Sequence, residues 1–145
     1  MAKAYASTVV DASADAVWAL IRDFNGLATW HPAVTDSVIE DGKAGDQVGA
    51  VRSFHLQDGA HLRERLLSFS DVERSYSYNF EKTPFAVRNY HATLKVSPVT
   101  DSGKAFVEWW TTFDCEPEKI EAWVETFAGA VFKSGLDALK AHFGG

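Results

Sequence analysis

A chain of 145 residues with a net charge of −6 can bury a substantial core but lacks the basic footprint of a dedicated nucleic-acid binder. Its 46% hydrophobic and 23% charged residues give an ordinary globular composition, read as a single domain over 1–145. A lone cysteine, Cys115, excludes an intrachain disulfide and makes the cytoplasm the expected setting; with no long apolar run near Met1, no signal peptide and no membrane span are expected.

Ala4 to Val10 reads as a first strand. Ser13 has the character of an N-cap, and Val17, Leu20, Ile21 and Phe24 follow at helical spacing up to Asn25-Gly26. A second short helical segment spans Leu27 to Trp30 and is interrupted by Pro32; Val34 to Glu40 is the next strand. Asp58-Gly59 lies between two strand-like runs, a hairpin signal. With those two residues as the turn centre, Val51, Ser53 and His55 face inward together with Leu62, Glu64 and Leu66. Arg52, Phe54, Leu56, His61, Arg63 and Arg65 then take the outer, wet face, which places His55 and His61 on opposite sides.

Later strands alternate cleanly. Tyr76, Tyr78 and Phe80 share one face, as do Tyr90, Ala92, Leu94 and Val96, and then Val107, Trp109, Thr111 and Phe113. The last stretch, Pro117 to Phe143, reads as one long amphipathic helix. Ile120, Trp123, Val124, Phe127, Val131, Leu139 and Phe143 form its apolar stripe, and Pro117 suits the first helical position. The expected architecture is α+β: a seven-stranded curved antiparallel sheet wrapped around a long C-terminal helix, with two short helices after the first strand.

The inward set is unusual for a core that serves stability alone. It combines Glu64, Ser53, His55, Tyr76, Tyr78, Tyr90, Thr111 and Trp109 with apolar neighbours, and Gly135 interrupts the helix stripe as though leaving space. Apolar and aromatic walls with a few convergent polar groups describe a ligand cavity. Glu64 is placed inside by hairpin parity and by Leu62 and Leu66 at two residues on either side. A slip of one residue would instead turn it outward to pair with a neighbouring arginine. Inside, burial would raise its pKa and suit it to proton transfer or to anchoring a ligand. Trp30-His31-Pro32 forms a second cluster, in which His31 either lines an entrance or is simply exposed.

No metal is expected, because none of His31, His55, His61, His91 and His142 forms a close ligand pair. No cofactor is expected either: the chain has no phosphate-binding glycine loop, Gly-x-Ser-x-Gly or nucleotide fingerprint. Cys115, without a CxxC partner, reads as a small buried residue.

Several stretches carry a family resemblance: Val17-Trp18-Ala19-Leu20 with Asp23-Phe24, Trp30-His31-Pro32, Gly49-Ala50-Val51-Arg52, Asp58-Gly59, Glu64-Arg65-Leu66, Asn89-Tyr90 and Trp109. Along nearly its whole length the chain resembles the START-like helix-grip superfamily (SRPBCC), in particular bacterial polyketide cyclase/dehydrase-like proteins. From Gly49 to Tyr90 it is also similar to the plant abscisic-acid receptors. The resemblance implies that Glu64, Tyr78, Tyr90, Ala92, Trp109, Phe127, Val131 and Gly135 line a pocket. The receptors' gate and latch are replaced here by His55-Leu56-Gln57-Asp58-Gly59 and Phe85-Ala86-Val87-Arg88, so their hormone switch does not carry over.

Two functions follow as expectations. The first is binding of a small hydrophobic molecule, aromatic, polyketide-like or lipid-like, by Trp30, Ser53, His55, Glu64, Tyr78, Tyr90, Ala92, Trp109, Phe127, Val131 and Gly135. The second is acid–base catalysis of the cyclase/dehydratase kind, with Glu64 as acid or base, Tyr78 and Tyr90 orienting the substrate and His31 or His55 assisting. A partner-binding module using Phe54, Leu56 and Trp110 on the outer face is a third, and the sequence leaves both monomer and dimer open.

Overall fold

The computed structural model of the chain describes residues 1–144. Seven strands form one antiparallel sheet: β1 (Ala2–Val10), β2 (Val34–Ile39), β3 (Val51–Leu56), β4 (His61–Ser70), β5 (Ser75–Lys82), β6 (Arg88–Pro98) and β7 (Ala105–Asp114). Their order is β1-β7-β6-β5-β4-β3-β2, so β2 to β7 form a meander and β1 joins it beside β7. Register shifts interrupt the β2–β3, β4–β5 and β6–β7 ladders. Bulges of this kind bend the strands and increase their twist, which curves the sheet.

Two helices join β1 to β2. Helix α1 (Ala14–Ile21) is capped by the Ser13 hydroxyl, which accepts from the Ala16 N–H at 3.1 Å, and it buries Val17, Trp18 and Ile21. A 3₁₀ turn (Phe24–Gly26) leads into α2 (Leu27–Trp30). Helix α1 packs on β6 and β7, while α2 packs on β2 and on the end of the C-terminal helix.

The C-terminal helix, α3, covers 117–142 and lies in the concave side of the sheet. It is not uniform. It opens with a 3₁₀ turn (Pro117–Lys119), continues as α-helix (Ile120–Glu125), widens to π-helix (Thr126–Lys133) and returns to α-helix (Ser134–His142). The wider turns change which residues face the core. Phe127 and Phe132, five apart, are both buried, followed by Gly135, Leu136 and Leu139; Ile120, expected in the stripe, is exposed. A constant 3.6-residue period misses Phe132 and Leu136 because the π segment shifts the phase.

One expectation about register is corrected. The β3–β4 connection is a three-residue loop, Gln57-Asp58-Gly59, closed by the Leu56 N–H donating to the Ala60 carbonyl at 2.9 Å, with Gly59 at φ +88°. The pairs are therefore Arg52↔Glu64 and Phe54↔Leu62, not Ser53↔Glu64 and His55↔Leu62. Strand β4 keeps the expected face, with Leu62, Glu64 and Leu66 inward. Strand β3 is reversed: Arg52 and Phe54 are buried, and Ser53 and His55 are on the outer face.

Candidate functional site

Between the sheet and α3 lies a cavity of about 220 Å³. Of the expected residues, His31, Glu64, Tyr78, Tyr90, Trp109, Phe127 and Val131 line it. Most of the wall is apolar or aromatic: Phe54 and Leu62 from the hairpin, Phe80 and Tyr90 stacked at 3.8 Å between ring centroids, and Phe127 set edge-on to Tyr90 at 5.2 Å. All of the contribution from α3, Thr126, Phe127, Ala130 and Val131, comes from the π-helical turns.

The polar feature is an ion pair that only the observed register creates. The Arg52 Nε–H and Nη2–H donate to Glu64 Oε1 at 2.9 and 2.7 Å, and Nη1–H donates to the Phe24 carbonyl at 2.9 Å. Arg52 is 1% and Glu64 5% exposed. The guanidinium lies 3.9 Å from the Phe24 ring centre and 4.8 Å from that of Tyr78, so aromatic faces replace part of its lost hydration. Burial pushes the Glu64 carboxyl up from its ordinary range, while the adjacent Arg52 charge opposes that shift. Arg52, read as a wet residue from the two-residue turn, is the principal site residue that the sequence reasoning missed. The signal that could have found it is the alternative three-residue hairpin for the same Asp-Gly pair.

His31 is buried and engaged at both nitrogens. The Ala33 N–H donates to Nδ1 at 3.2 Å, so Nδ1 is unprotonated and Nε2–H donates to the Val131 carbonyl at 2.7 Å. Burial lowers its pKa, the Val131 contact acts the other way, and the nearby Arg52 charge lowers it further. Neutral His31 thus tethers the segment after α2 to the π-helical wall and has no nitrogen free for proton transfer.

Tyr78 accepts the indole N–H of Trp109 at 3.0 Å. Burial raises the pKa of both Tyr78 and Tyr90, so their hydroxyls stay protonated.

The remaining expected residues lie elsewhere. Ser53 bonds His61 Nε2 at 2.7 Å and His55 bonds Asp36 at 2.9 Å, both outside the sheet, so neither reaches the cavity. His55 and His61 stack on that same outer face with ring centres 4.7 Å apart, contrary to their expected separation. Phe54, expected in an outer apolar patch, is buried against the cavity. Trp30 packs behind the wall on Trp109, at 5.6 Å, and Ala92 is buried opposite Tyr78 in the β5–β6 ladder. Gly135 leaves no vacant space: a Cβ there would come within 2.7 Å of His31 Cδ2 and 2.8 Å of Trp109 Cζ3. The glycine allows α3 to approach those rings rather than enlarging the cavity.

A second, outer groove of about 600 Å³ runs between α3 and the loop after β5, lined by Val87, Arg88, Lys119 and Trp123. Phe85 separates groove from cavity, packing on Trp123 and Phe127 at 5.5 and 5.7 Å, and Thr126 lines both spaces. Among the described residues no cluster of three His, Cys, Asp or Glu side chains could hold a metal ion, and no helix is long and apolar enough to cross a membrane.

Comparison with known proteins agrees with this geometry. The model of the family described as polyketide cyclase / dehydrase and lipid transport matches residues 1–144. Among solved structures, the chain is similar to the protein XoxI from Bacillus cereus, with 36% identity, 99% of this chain and 96% of that chain covered, and a TM-score of 0.89. It is likewise similar to a protein from Thermobifida fusca, with 34% identity, coverage of 99% and 94%, and a TM-score of 0.89. An uncharacterised protein from Bacillus thuringiensis shares 33% identity over 98% of both chains with a TM-score of 0.84. A search of the curated proteins finds no match.

Proposed function

The chain belongs to the polyketide cyclase / dehydrase and lipid transport family, and on that footing we propose that it binds a small hydrophobic molecule in the cavity between the sheet and α3. The observation that carries this reading is the pairing of an aromatic, mostly apolar wall with one buried ion pair, Arg52–Glu64, at the cavity surface. A buried ion pair is weak as a source of stability, because hydrophobic residues of similar volume often serve as well or better. Its position at a cavity gives it a use in ligand recognition. A cytoplasmic setting, suggested by the single Cys115, belongs to the same reading.

The test is native mass spectrometry of freshly purified protein with extraction of bound material, followed by titration of the extracted compound while the Trp109 signal is observed. Binding that shifts Trp109 supports the reading. Binding that leaves every cavity residue unperturbed refutes it.

Acid–base catalysis is the second reading, favoured by one observation: a buried carboxyl whose pKa burial raises. In it Glu64 moves the proton, the neutral Tyr78 hydroxyl orients the substrate, and His31 positions the wall. Glu64→Gln would then lower turnover by roughly 100- to 10,000-fold. Unchanged turnover in that variant would remove Glu64 from any mechanism.

A further inference from the structure

Several polar groups around the cavity, Arg52, His31 and the Trp109 indole among them, already have protein partners. Both Arg52 contacts with Glu64 fall on Oε1. His31 is engaged at both nitrogens. Glu64 Oε2, by contrast, receives no hydrogen bond from any described residue. Among the described residues, Asn79 Oδ1 is the only fully enclosed side-chain polar atom without a partner, so Oε2 is not sealed in protein. Glu64 lines the cavity, which puts that space within reach of Oε2.

Charge and size add two constraints. Arg52 and Glu64 are the only charged residues in the lining, and their charges cancel; His31 is neutral. The cavity, at about 220 Å³, lies below the ~300–1,000 Å³ of pockets for drug-sized ligands.

Building on the ligand-binding reading above, we propose that the cavity selects a small neutral molecule of one or two rings whose hydroxyl or N–H donates to Glu64 Oε2. Flat walls from Phe80, Tyr90 and Phe127 take the ring faces. A carboxylate of the same size brings a second negative charge to Glu64 in a site whose cation is already engaged. An ether of the same size covers Oε2 without giving it a donor, leaving a buried acceptor unpaired. A long acyl chain exceeds the space.

The test uses the full wild-type chain and four probes: 2-naphthol, 2-methoxynaphthalene, 2-naphthoate and oleate. Each is titrated by calorimetry while the Trp109 indole N–H is followed by NMR. The expected result is that 2-naphthol binds and shifts Trp109, with the ether, the naphthoate and oleate each roughly 10- to 100-fold weaker. The ether or the naphthoate binding as tightly as 2-naphthol overturns the inference. Oleate binding alone, with a Trp109 shift, overturns it while leaving the ligand-binding reading intact. No Trp109 shift with any of the four overturns both. Glu64→Gln, where it folds, is expected to lose the preference for 2-naphthol over 2-naphthoate; the wild-type series decides the question without it.

Discussion

Arg52 and Glu64 face each other across the β3–β4 ladder and meet at a single carboxylate oxygen, Oε1, at 2.7 Å. Because both groups are enclosed, losing either one strands a charge. Arg52→Leu and Glu64→Leu are each expected to destabilise the fold by about 3–5 kcal/mol. Arg52→Met combined with Glu64→Leu should recover most of that loss, since no charge is left unpaired. Urea unfolding of the two single variants and the double variant measures the coupling. Losses that simply add would show that the two residues act independently.

Two glycines of α3 are expected to respond to the same substitution with opposite signs. Gly135→Ala drives a methyl group into His31 and Trp109 and should cost about 1–3 kcal/mol. A Cβ added at Gly129 would meet no atom within 4 Å, so Gly129→Ala should gain about 0.4–1 kcal/mol by restricting the unfolded chain. Thermal unfolding of the two variants checks this, and a stabilised Gly135→Ala would contradict the close approach.

His31 should make stability depend on pH above the carboxylate range. Its folded pKa lies below the ordinary 6.5, chiefly because burial disfavours the imidazolium. The unfolded chain therefore binds this proton first. The contribution of neutral His31 is complete above pH 6.5 and is lost progressively as pH falls from there towards the lowered folded value. His31→Gln should flatten that part of the stability–pH curve. An unchanged slope in the variant would assign the dependence to another group.

Ser53 and His55 serve as outer-face controls. Ser53→Ala and His55→Ala are expected to leave the affinity for 2-naphthol unchanged, because both side chains bond partners outside the sheet. Tyr90→Ala removes a ring that stacks on Phe80 within the wall and should weaken binding by about tenfold or more. Calorimetric titration separates these outcomes, and an effect of His55→Ala as large as that of Tyr90→Ala would return His55 to the site.

Alternation in β5 to β7 placed Tyr78, Tyr90 and Trp109 on the inner face, and Leu62 and Leu66 placed Glu64 there even though the two-residue turn invoked beside them was wrong, since a period of two cannot change sides within an unbroken strand. The α+β layout and the long C-terminal helix followed from the same local patterns. Three features needed the tertiary structure. The face shown by β3 depends on whether Asp58-Gly59 closes a two- or a three-residue loop. Gly59 suits either, so Arg52 and His55 exchanged sides on a difference of one residue. The phase of α3 depends on π-helical turns between Thr126 and Lys133, and no local 3.6-residue pattern announces them; they bring in Phe132 and Leu136 where the stripe predicted otherwise. The role of His31 depends on a carbonyl 100 residues away, and its second nitrogen is taken by its own loop. Local sequence determines the periodicity and propensity of each element. The faces that meet, and the polar atoms left without a partner, are settled only when distant segments pack together.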